Sequence, residues 1–411
     1  MLKLTWEEKL ERAKKALEKI PAYGPDVDLD RFLLDQAEEE EGSLSLETLP
    51  EKTKKRALHA GIITSEKGRS GTFFQKDTRV LCARPRQEGI EIMSTTAALK
   101  KYEWLKDLVW SAVDPGADKY TAVTALHRTH GYFIRTLPGI KTIYPVQACL
   151  YISRKNLVQR VHNIIIAEPG SELHIITGCT TEDELTAAMH IGISEFFVKE
   201  GAKITFTMVH SWGKEVHVRP RTGVIVEKGG VFINNYICLR EVQSLQMYPT
   251  VYLAGENSRA SLNSIIYGRG NSRFDVGGKA ILKADGARAE IISRVISDDS
   301  SEIIARGNLT AEVDNVKGHL ECKGLMLSST SRTLAIPELD AKAANVELSH
   351  EAAVGKIAEE QILYLMSRGL TEEQATSLLV RGFLNLKIEG LPEELEKETQ
   401  KLMELEYETG L

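Results

Sequence analysis

Pro169-Gly-Ser-Glu-Leu-His-Ile-Ile-Thr177 is the stretch that decides the fold of this chain, because it joins a tight turn to a short run rich in β-branched residues. Turns of the same form recur along the sequence, and the residues at their tips are 31, 28, 28 and 29 positions apart. These tip residues are Gly170, Gly201, Gly229, Asn257 and Gly286. A near-constant period indicates a solenoid, in which each coil stacks on the next because one coil alone cannot bury a core.

The middle of the chain, residues 131–349, has the two-residue periodicity of β-strands. A right-handed parallel β-helix is the natural candidate for this core, and a β-sandwich with irregular hairpins stays open on periodicity alone. Residues 1–130 are predicted to be mainly helical, with helices from Thr5 to Pro21, around 50–60 and around 95–113. The predicted fold class is therefore α+β, with a β-helix flanked by helical domains.

The C-terminal part, residues 350–411, returns to helical spacing. One helix is predicted to end at Gly369, and a capping box at Thr371 starts the next. A last, acidic helix is predicted over residues 392–406. This domain has too few apolar residues for a core of its own, so we expect it to dock on another surface.

Composition excludes several classes of function. The 411 residues include 52 Lys+Arg and 58 Asp+Glu, a net charge of -6 without a basic block, so we predict no nucleic-acid partner. No run approaches the ~18 apolar residues of a membrane span, and the charged N-terminus is unlike a secretory signal, so we expect a soluble, cytoplasmic protein. The five cysteines are odd in number and dispersed, and we expect reduced thiols. They are Cys82, Cys149, Cys179, Cys238 and Cys322.

Two segments near the end of the predicted β-helix combine a thiol, imidazoles and carboxylates. They are Gly318-His-Leu-Glu-Cys322 and Ser349-His350-Glu351. Such groups form the ligand sets of iron, sulfur and zinc chemistry. Strand alternation places Cys322 on the face of Leu320, and it places His350 on the face of Leu348. Taken alone, both patterns are typical of a core thiol and a structural histidine.

From about Gly89 onward the chain resembles the SufB/SufD family, the scaffold of the Suf iron-sulfur cluster assembly system, and those two segments carry the resemblance. The resemblance implies a β-helix, a transient iron-sulfur cluster, and a scaffold rather than an enzyme. Its acceptor cysteine matches Cys322 and its interface histidine matches His350, with Glu351 beside it. These three residues are the implied sulfur and iron acceptor site.

In that family the cysteine typically comes from SufB and the histidine from SufD, and the two meet across a dimer interface. Because this chain has both Cys322 and His350, we predict a homodimer with two equivalent sites. A heterodimer with a SufD-like chain is the alternative.

The resemblance also implies a sulfur relay inside the β-helix, fed by a sulfur donor. Cys179, Trp212 and Arg221 are similar to the relay of the SufB branch, whereas His210 stands where that branch usually has glutamine. The alternative for Cys179 is a small side chain packed at a turn beside Gly178. We assign the remaining cysteines, Cys82, Cys149 and Cys238, to packing.

No nucleotide-binding motif occurs in the sequence; Gly277-Gly-Lys-Ala lacks the spacing of a P-loop. ATP is therefore expected to act only through a partner, which the resemblance implies is a SufC-like ABC ATPase bound to the C-terminal helices. The residues predicted to bind it are Glu359, Tyr364, Arg368 and Phe383. Two other functions stay open: an adaptor of an ABC ATPase without a cluster site, and a polysaccharide-active β-helix enzyme that uses carboxylates such as Asp298 and Asp299.

Overall fold

The computed structural model describes residues 4–37, 42–182, 185 and 187–384. Within this part, the helices are α1 Trp6–Lys14, α2 Glu51–His59, α3 Thr95–Lys101, α4 Leu105–Leu108, α5 Lys119–His127, α6 Glu359–Ser367 and α7 Glu372–Leu384. The acidic run 38–41 and the predicted helix over 392–406 lie outside the described residues.

Strands make up most of the rest of the described chain. They are β1 Gly71–Lys76, β2 Arg79–Pro85, β3 Ile90–Ser94, β4 Tyr132–Thr136, β5 Val146–Ile152, β6 Val158–Ala167, β7 Glu172–Thr181, β8 Ala188–Val198, β9 Lys203–Ser211, β10 Val216–Val218, β11 Arg221–Val226, β12 Val231–Cys238, β13 Ser244–Met247, β14 Thr250–Leu253, β15 Arg259–Gly268, β16 Arg273–Leu282, β17 Arg288–Ser297, β18 Glu302–Ala311, β19 Val316–Met326, β20 Arg332–Ala341 and β21 Val346–Lys356.

The chain alternates between two sheets, and each strand pairs in parallel with strands one coil before and one coil after it. The first sheet runs β2-β1-β5-β7-β9-β12-β15-β17-β19-β21, and β18 and β20 extend the second sheet beyond β16. Only the β1–β2 and β3–β4 pairs among the described strands are antiparallel. This topology confirms the parallel β-helix and excludes the β-sandwich, whose sheets would be antiparallel.

Stacked turns form one edge of the β-helix. The five predicted tip residues all have left-handed backbone conformations, with φ from 57° at Asn257 to 70° at Gly286. Each tip donates its backbone N–H to the turn of the next coil; for example, Gly201 N lies 2.8 Å from Lys228 O. Glycine and asparagine occupy these positions because other side chains are strained at positive φ. The residue type that recurs at the turns of the sequence therefore permits the backbone conformation in which the coils stack.

Apolar side chains from both sheets fill the space between them. The interior cluster extends from Phe73 in β1 to Cys322 in β19. A second cluster lies outside the second sheet, where helices of the N-terminal region cover it. A third lies outside the first sheet and includes Val380 of α7. The β-helix therefore has one enclosed core and further cores wherever flanking helices pack on its outer faces.

The N-terminal region differs in detail from the prediction. The capping box at Thr5 is present, but α1 ends at Lys14, and Ile20 is 67% exposed rather than on a buried face. The chain turns at this point because the Lys19 carbonyl accepts a hydrogen bond from Lys119 N of α5 at 2.8 Å. Three strands, β1–β3, also lie in this region, and β1 extends the first sheet beside β5.

The helix predicted over residues 95–113 is two short helices, α3 and α4. The helical path breaks at Tyr102, which has extended dihedrals, and Trp110 has a φ of 61°. The end of the helical path after α4 has a tertiary cause, since the buried carboxylate of Glu195 accepts hydrogen bonds from three backbone N–H groups of the segment that follows. A continuous helix would use those donors internally, so a tertiary contact overrides the local preference.

At the other end of the chain, β21 runs to Lys356, past the predicted domain boundary, and α6 and α7 follow. Gly369 has a φ of 97°, and Thr371 and Gln374 form the predicted capping box. Within α7, Val380 is buried against the β-helix whereas Leu378 is exposed. None of the helices in the described ranges combines the length and the apolar character that a bilayer crossing requires.

Candidate functional site

Cys322 lies in β19, and alternation points its side chain into the β-helix with Leu320. The residue is only 2% exposed, and burial raises the pKa of its thiol above the ordinary value, which a hydrogen bond with Ser293 partly offsets. Ser293 is the register partner of Cys322 on β17. In this conformation the thiol is therefore protonated and shielded, and it needs an opening of the end of the β-helix to react.

His350 lies in β21, the next strand of the same sheet. It pairs in register with Leu320, so Cys322 and His350 are diagonal neighbours on the inner face, as alternation predicts. His350 Nε2 is buried and has no hydrogen-bond partner among the described residues. The thiol of Cys322 and the unpaired ring nitrogen of His350 are a soft and a borderline ligand atom on the same inner face, and the imidazole nitrogen has no structural partner among the described residues.

The last coil of the β-helix is open. Strands β20 and β21 each pair with one neighbour, and the described residues add no strand beyond either of them. Leu334, Leu339 and Val354 on these strands are each more than 40% exposed. Such an edge, with unpaired backbone groups and exposed apolar side chains, is one that solenoid proteins cover with a capping element or pair with another chain.

Glu351, the third predicted member of this site, points the other way. Adjacent residues of a strand alternate between faces, so Glu351 lies on the outer face of the sheet while His350 faces inward. The Glu351 carboxylate is 3.2 Å from Lys323 Nζ, and its register partner is Glu321. Within one protomer, Glu351 therefore does not share a face with Cys322 and His350, and its place in the predicted acceptor site stays a prediction.

The predicted relay residues Cys179 and His210 are register partners on the inner faces of β7 and β9, and Cys238 pairs with His210 from β12. The Trp212 ring is 5.3 Å from the His210 ring, centroid to centroid, and His210 Nδ1 lies 2.7 Å from the Tyr236 hydroxyl. The structure therefore groups Cys179, His210 and Trp212 in the β-helix interior. It adds Cys238, which the sequence assigned to packing.

Burial makes this interior cluster neutral. Desolvation raises the pKa of the Cys179 thiol and lowers the pKa of His210 well below its ordinary value, and it lowers that of His190 to about 3. His190, whose ring lies 4.9 Å from Trp212, was missed because a single histidine in an apolar strand has no distinguishing sequence signal. His210 Nε2 and Trp212 Nε1 have no hydrogen-bond partner in the described structure.

Arg221 does not belong to this cluster. It lies on the outer face of β11, where its guanidinium pairs with Asp118 at 2.7 Å and lies over the Tyr120 ring of α5. The structure does not bring this predicted relay residue together with the others, because its side chain falls on the other parity of its strand.

A row of polar side chains connects the interior cluster with Cys322. Tyr236, Ser264, Ser293 and Cys322 occupy successive register positions on β12, β15, β17 and β19. Ser264 donates to Ser293 at 3.0 Å, so part of the row is directly bonded. The enclosed core around it is built mainly of aliphatic and aromatic side chains, and we call this row the polar track toward the open end. Its sequence signal is a hydroxyl or thiol recurring at the coil period.

The residues predicted to bind an ATPase fall into two groups. Tyr364 is 58% exposed on α6, and Arg368 lies over its ring; Glu359 is the exposed first residue of the same helix. Phe383 instead packs against the apolar cluster on the outer face of the β-helix. Phe383 therefore helps to hold α7 on the β-helix, whereas Glu359, Tyr364 and Arg368 are exposed.

Comparison with known proteins gives consistent results. The family described as SUF system FeS cluster assembly, SufBD core domain, matches residues 150–383. The chain is similar to an iron-sulfur cluster assembly SufBD family protein of Methanothermobacter thermautotrophicus, with 49% identity over 96% of this chain and 98% of that protein. The chain is also similar to a protein of the same description from Archaeoglobus fulgidus, with 50% identity over 86% of this chain and 94% of that protein. A third, from Staphylococcus saprophyticus, has 30% identity over 95% of this chain and 86% of that protein.

Proposed function

Because this chain belongs to the SufBD family and so takes part in iron-sulfur cluster assembly, we propose that it is the scaffold on which nascent clusters are built before transfer. The observation that supports this best is the placement of Cys322 and His350 as diagonal neighbours on the inner faces of β19 and β21. A thiol and an unpaired imidazole at the open end of a β-helix are suited to holding iron and sulfur briefly.

The sulfur chemistry follows from the thiol. Once ionised, the Cys322 thiolate attacks the outer sulfur of a donor persulfide, the donor's S–S bond breaks, and the donor leaves as its own thiolate. Cys322 then carries the persulfide. In the proposed relay, Cys179 takes the sulfur from the external donor by the same exchange, its persulfide is then the donor to Cys322, and Ser264 and Ser293 only line the polar track between the two cysteines.

Two ligands from one chain are too few for a cluster, so we propose that a second copy supplies the others. In a two-fold dimer formed through the open last coils, Cys322 of one protomer approaches His350 of its partner. The exposed apolar side chains of Leu334 and Val354 support this pairing, since a dimer would bury them.

An ABC ATPase of the SufC type is the proposed energy source, working with this scaffold in the cytoplasm. The exposed face of α6, which includes Leu363 and Tyr364, supports docking of a partner there. A purely structural adaptor would use the same face without needing Cys322.

The test of the scaffold is anaerobic reconstitution of the full chain with ferrous iron and a sulfide source, read by visible absorption and Mössbauer spectra. We expect a cluster in the parent protein and its loss in Cys322→Ser, because the hydroxyl is a poor ligand for iron. Cys149→Ser, a buried thiol in an outer core, is the matched control and should keep the cluster. A Cys322→Ser protein that assembles the cluster normally would support the adaptor instead.

The dimer is tested separately by sedimentation of the parent chain and of Val354→Asp. We expect a dimer for the parent and a shift to monomer in the variant, because a carboxylate would be desolvated at the pairing edge. Leu363→Asp on α6, a more exposed apolar position, should leave the dimer intact. A monomeric parent would contradict the two-fold site.

A further inference from the structure

The outer face of the sheet, directly behind Cys322, carries a second cluster of ligand groups. His319, Glu321 and Glu351 each offer one ligand atom, and these atoms lie within 4.8 Å of one another. They come from two paired strands: His319 and Glu321 are on β19, and Glu351 is the register partner of Glu321 on β21. Their relative position is therefore fixed by the backbone ladder.

The imidazole of His319 is already oriented. Its Nδ1 lies 2.8 Å from the Ser349 hydroxyl, which leaves Nε2 as the second ring nitrogen. Histidines that bind metals are held in this manner, with one nitrogen bonded to the protein and the other directed to the ion. Ser349 also lies on the outer face, across the β19–β21 ladder from His319.

A cation already lies between the two carboxylates. Lys323 Nζ is 2.7 Å from Glu321 Oε2 and 3.2 Å from Glu351 Oε1. The other oxygen of Glu321 pairs with the guanidinium of Arg294. Arg294 thus fixes Glu321 through Oε1, and removal of the Lys323 ammonium would free Oε2 without moving the carboxylate. The Lys323 side chain is 31% exposed, so it has room to swing out to solvent.

The cluster adjoins an access route. A surface groove of about 830 Å³ runs along the outer face at the beginnings of the strands, and its lining includes His319 and Ser349. A hydrated ion can therefore approach from solvent, whereas the inner face with Cys322 is closed. An oxygen- and nitrogen-rich site with an open side suits a borderline divalent ion rather than a soft one.

We propose that His319, Glu321 and Glu351 bind a divalent transition-metal ion of the class of Fe²⁺, and that Lys323 occupies the site in its absence. The ion displaces the ammonium, which moves out to solvent. The use of this site as the iron supply for Cys322, one residue along the strand from Glu321, rests on the proposed function. Binding itself does not.

The probe is Co²⁺, titrated anaerobically into the untagged full chain and read by visible absorption. Cobalt bound by imidazole and carboxylates gives weak ligand-field bands, whereas a cysteine ligand adds an intense charge-transfer band. We expect saturable binding of one ion per chain without the charge-transfer band. His319→Ala and Glu321→Gln should each weaken binding about tenfold or more, and Lys323→Met should tighten it by about tenfold, because the competing ammonium is gone.

Two controls separate this site from its neighbours. Glu347→Gln removes a carboxylate from the same face of β21 that pairs with Lys317 at 2.7 Å, and it should leave the affinity unchanged. Cys322→Ser should leave the cobalt spectrum unchanged. Equal affinity in the parent and His319→Ala, or a charge-transfer band that Cys322→Ser removes, would overturn the site. Weaker binding in Lys323→Met would overturn the displacement. If cobalt binds as expected while Cys322→Ser still assembles clusters, the metal site stands and the scaffold proposal fails.

Discussion

Lowering the pH from about 7.5 to about 5.5 is expected to remove about 4–6 kcal/mol of folding stability through four buried histidines alone. Burial lowers the pKa of His174 and His217 to about 4 and that of His190 to about 3, and that of His210 lies well below its ordinary value. Each imidazole is therefore neutral in the folded chain at both pH values.

The sign follows from proton binding. The pKa of each histidine is lower in the folded state than in the unfolded state, so the unfolded chain binds more protons between the two values. Stability is full above about pH 6.5 and is lost as the pH falls toward the folded-state pKa, by about 1.4 kcal/mol per unit and per histidine. His217 is partly exposed and contributes less.

Urea unfolding curves at several pH values measure this slope. The glutamine of His190→Gln can keep the hydrogen bond to Gln159. This variant should reduce the pH dependence of the free energy of unfolding by the contribution of one histidine. A free energy of unfolding that stays constant between about pH 7.5 and about 5.5 would show that these rings ionise normally in the fold.

Replacing Glu195 by alanine is expected to cost about 3–5 kcal/mol, because several buried donors lose their acceptor. The Glu195 carboxylate accepts from Trp110 N at 2.6 Å, Ala112 N at 2.8 Å and Val113 N at 3.2 Å, and it lies 2.8 Å from His162 Nε2. Its side chain is fully buried, so water cannot replace it. This carboxylate anchors the backbone from Trp110 to Val113, while Val109, Trp110 and Ala112 also pack in the apolar cluster outside the second sheet.

Chemical denaturation gives the loss of stability, and near-ultraviolet circular dichroism reports Trp110, whose ring lies 4.2 Å from that of His162. We expect the Trp110 signal to weaken in Glu195→Ala even where the β-helix stays folded. The matched control is Glu227→Gln, which removes an exposed carboxylate paired with Lys199 and should change stability by less than about 1 kcal/mol. Equal effects of the two substitutions would contradict the anchoring role of Glu195.

The β-helix could be predicted from sequence because its cause is local and repeated. Residues such as Gly201 and Asn257 must adopt positive φ in every coil, and that requirement appears directly in the amino-acid choice. The N-terminal helices were less predictable. Their limits depend on single long-range contacts, such as those of Glu195 and of the Lys19 carbonyl, which no local pattern records.

In the candidate site, too, local features could be predicted from the sequence and features that depend on the register of the coils could not. Strand alternation correctly predicted that Cys322 and His350 face inward, since parity is a local property. The resemblance grouped Glu351 and Arg221 with side chains that face into the β-helix. Strand alternation places Glu351 on the outer face, opposite to its neighbour His350. His190 and the cluster around His319 depend on which coil stacks on which, and that register is visible only in the folded chain.

The last coil of the β-helix pairs with a neighbouring coil on one side only within the described chain, and this affects the hydrogen exchange of its amides. In a solenoid, each coil is protected by the coils on both sides, so amide protection falls toward an end with a neighbour on one side only. The amides of β20 and β21 should therefore exchange faster than those of β15 and β16 in the middle. Fraying of this one coil uncovers the Cys322 thiol while the rest of the chain stays folded, and a second copy bound at the end would slow that exchange.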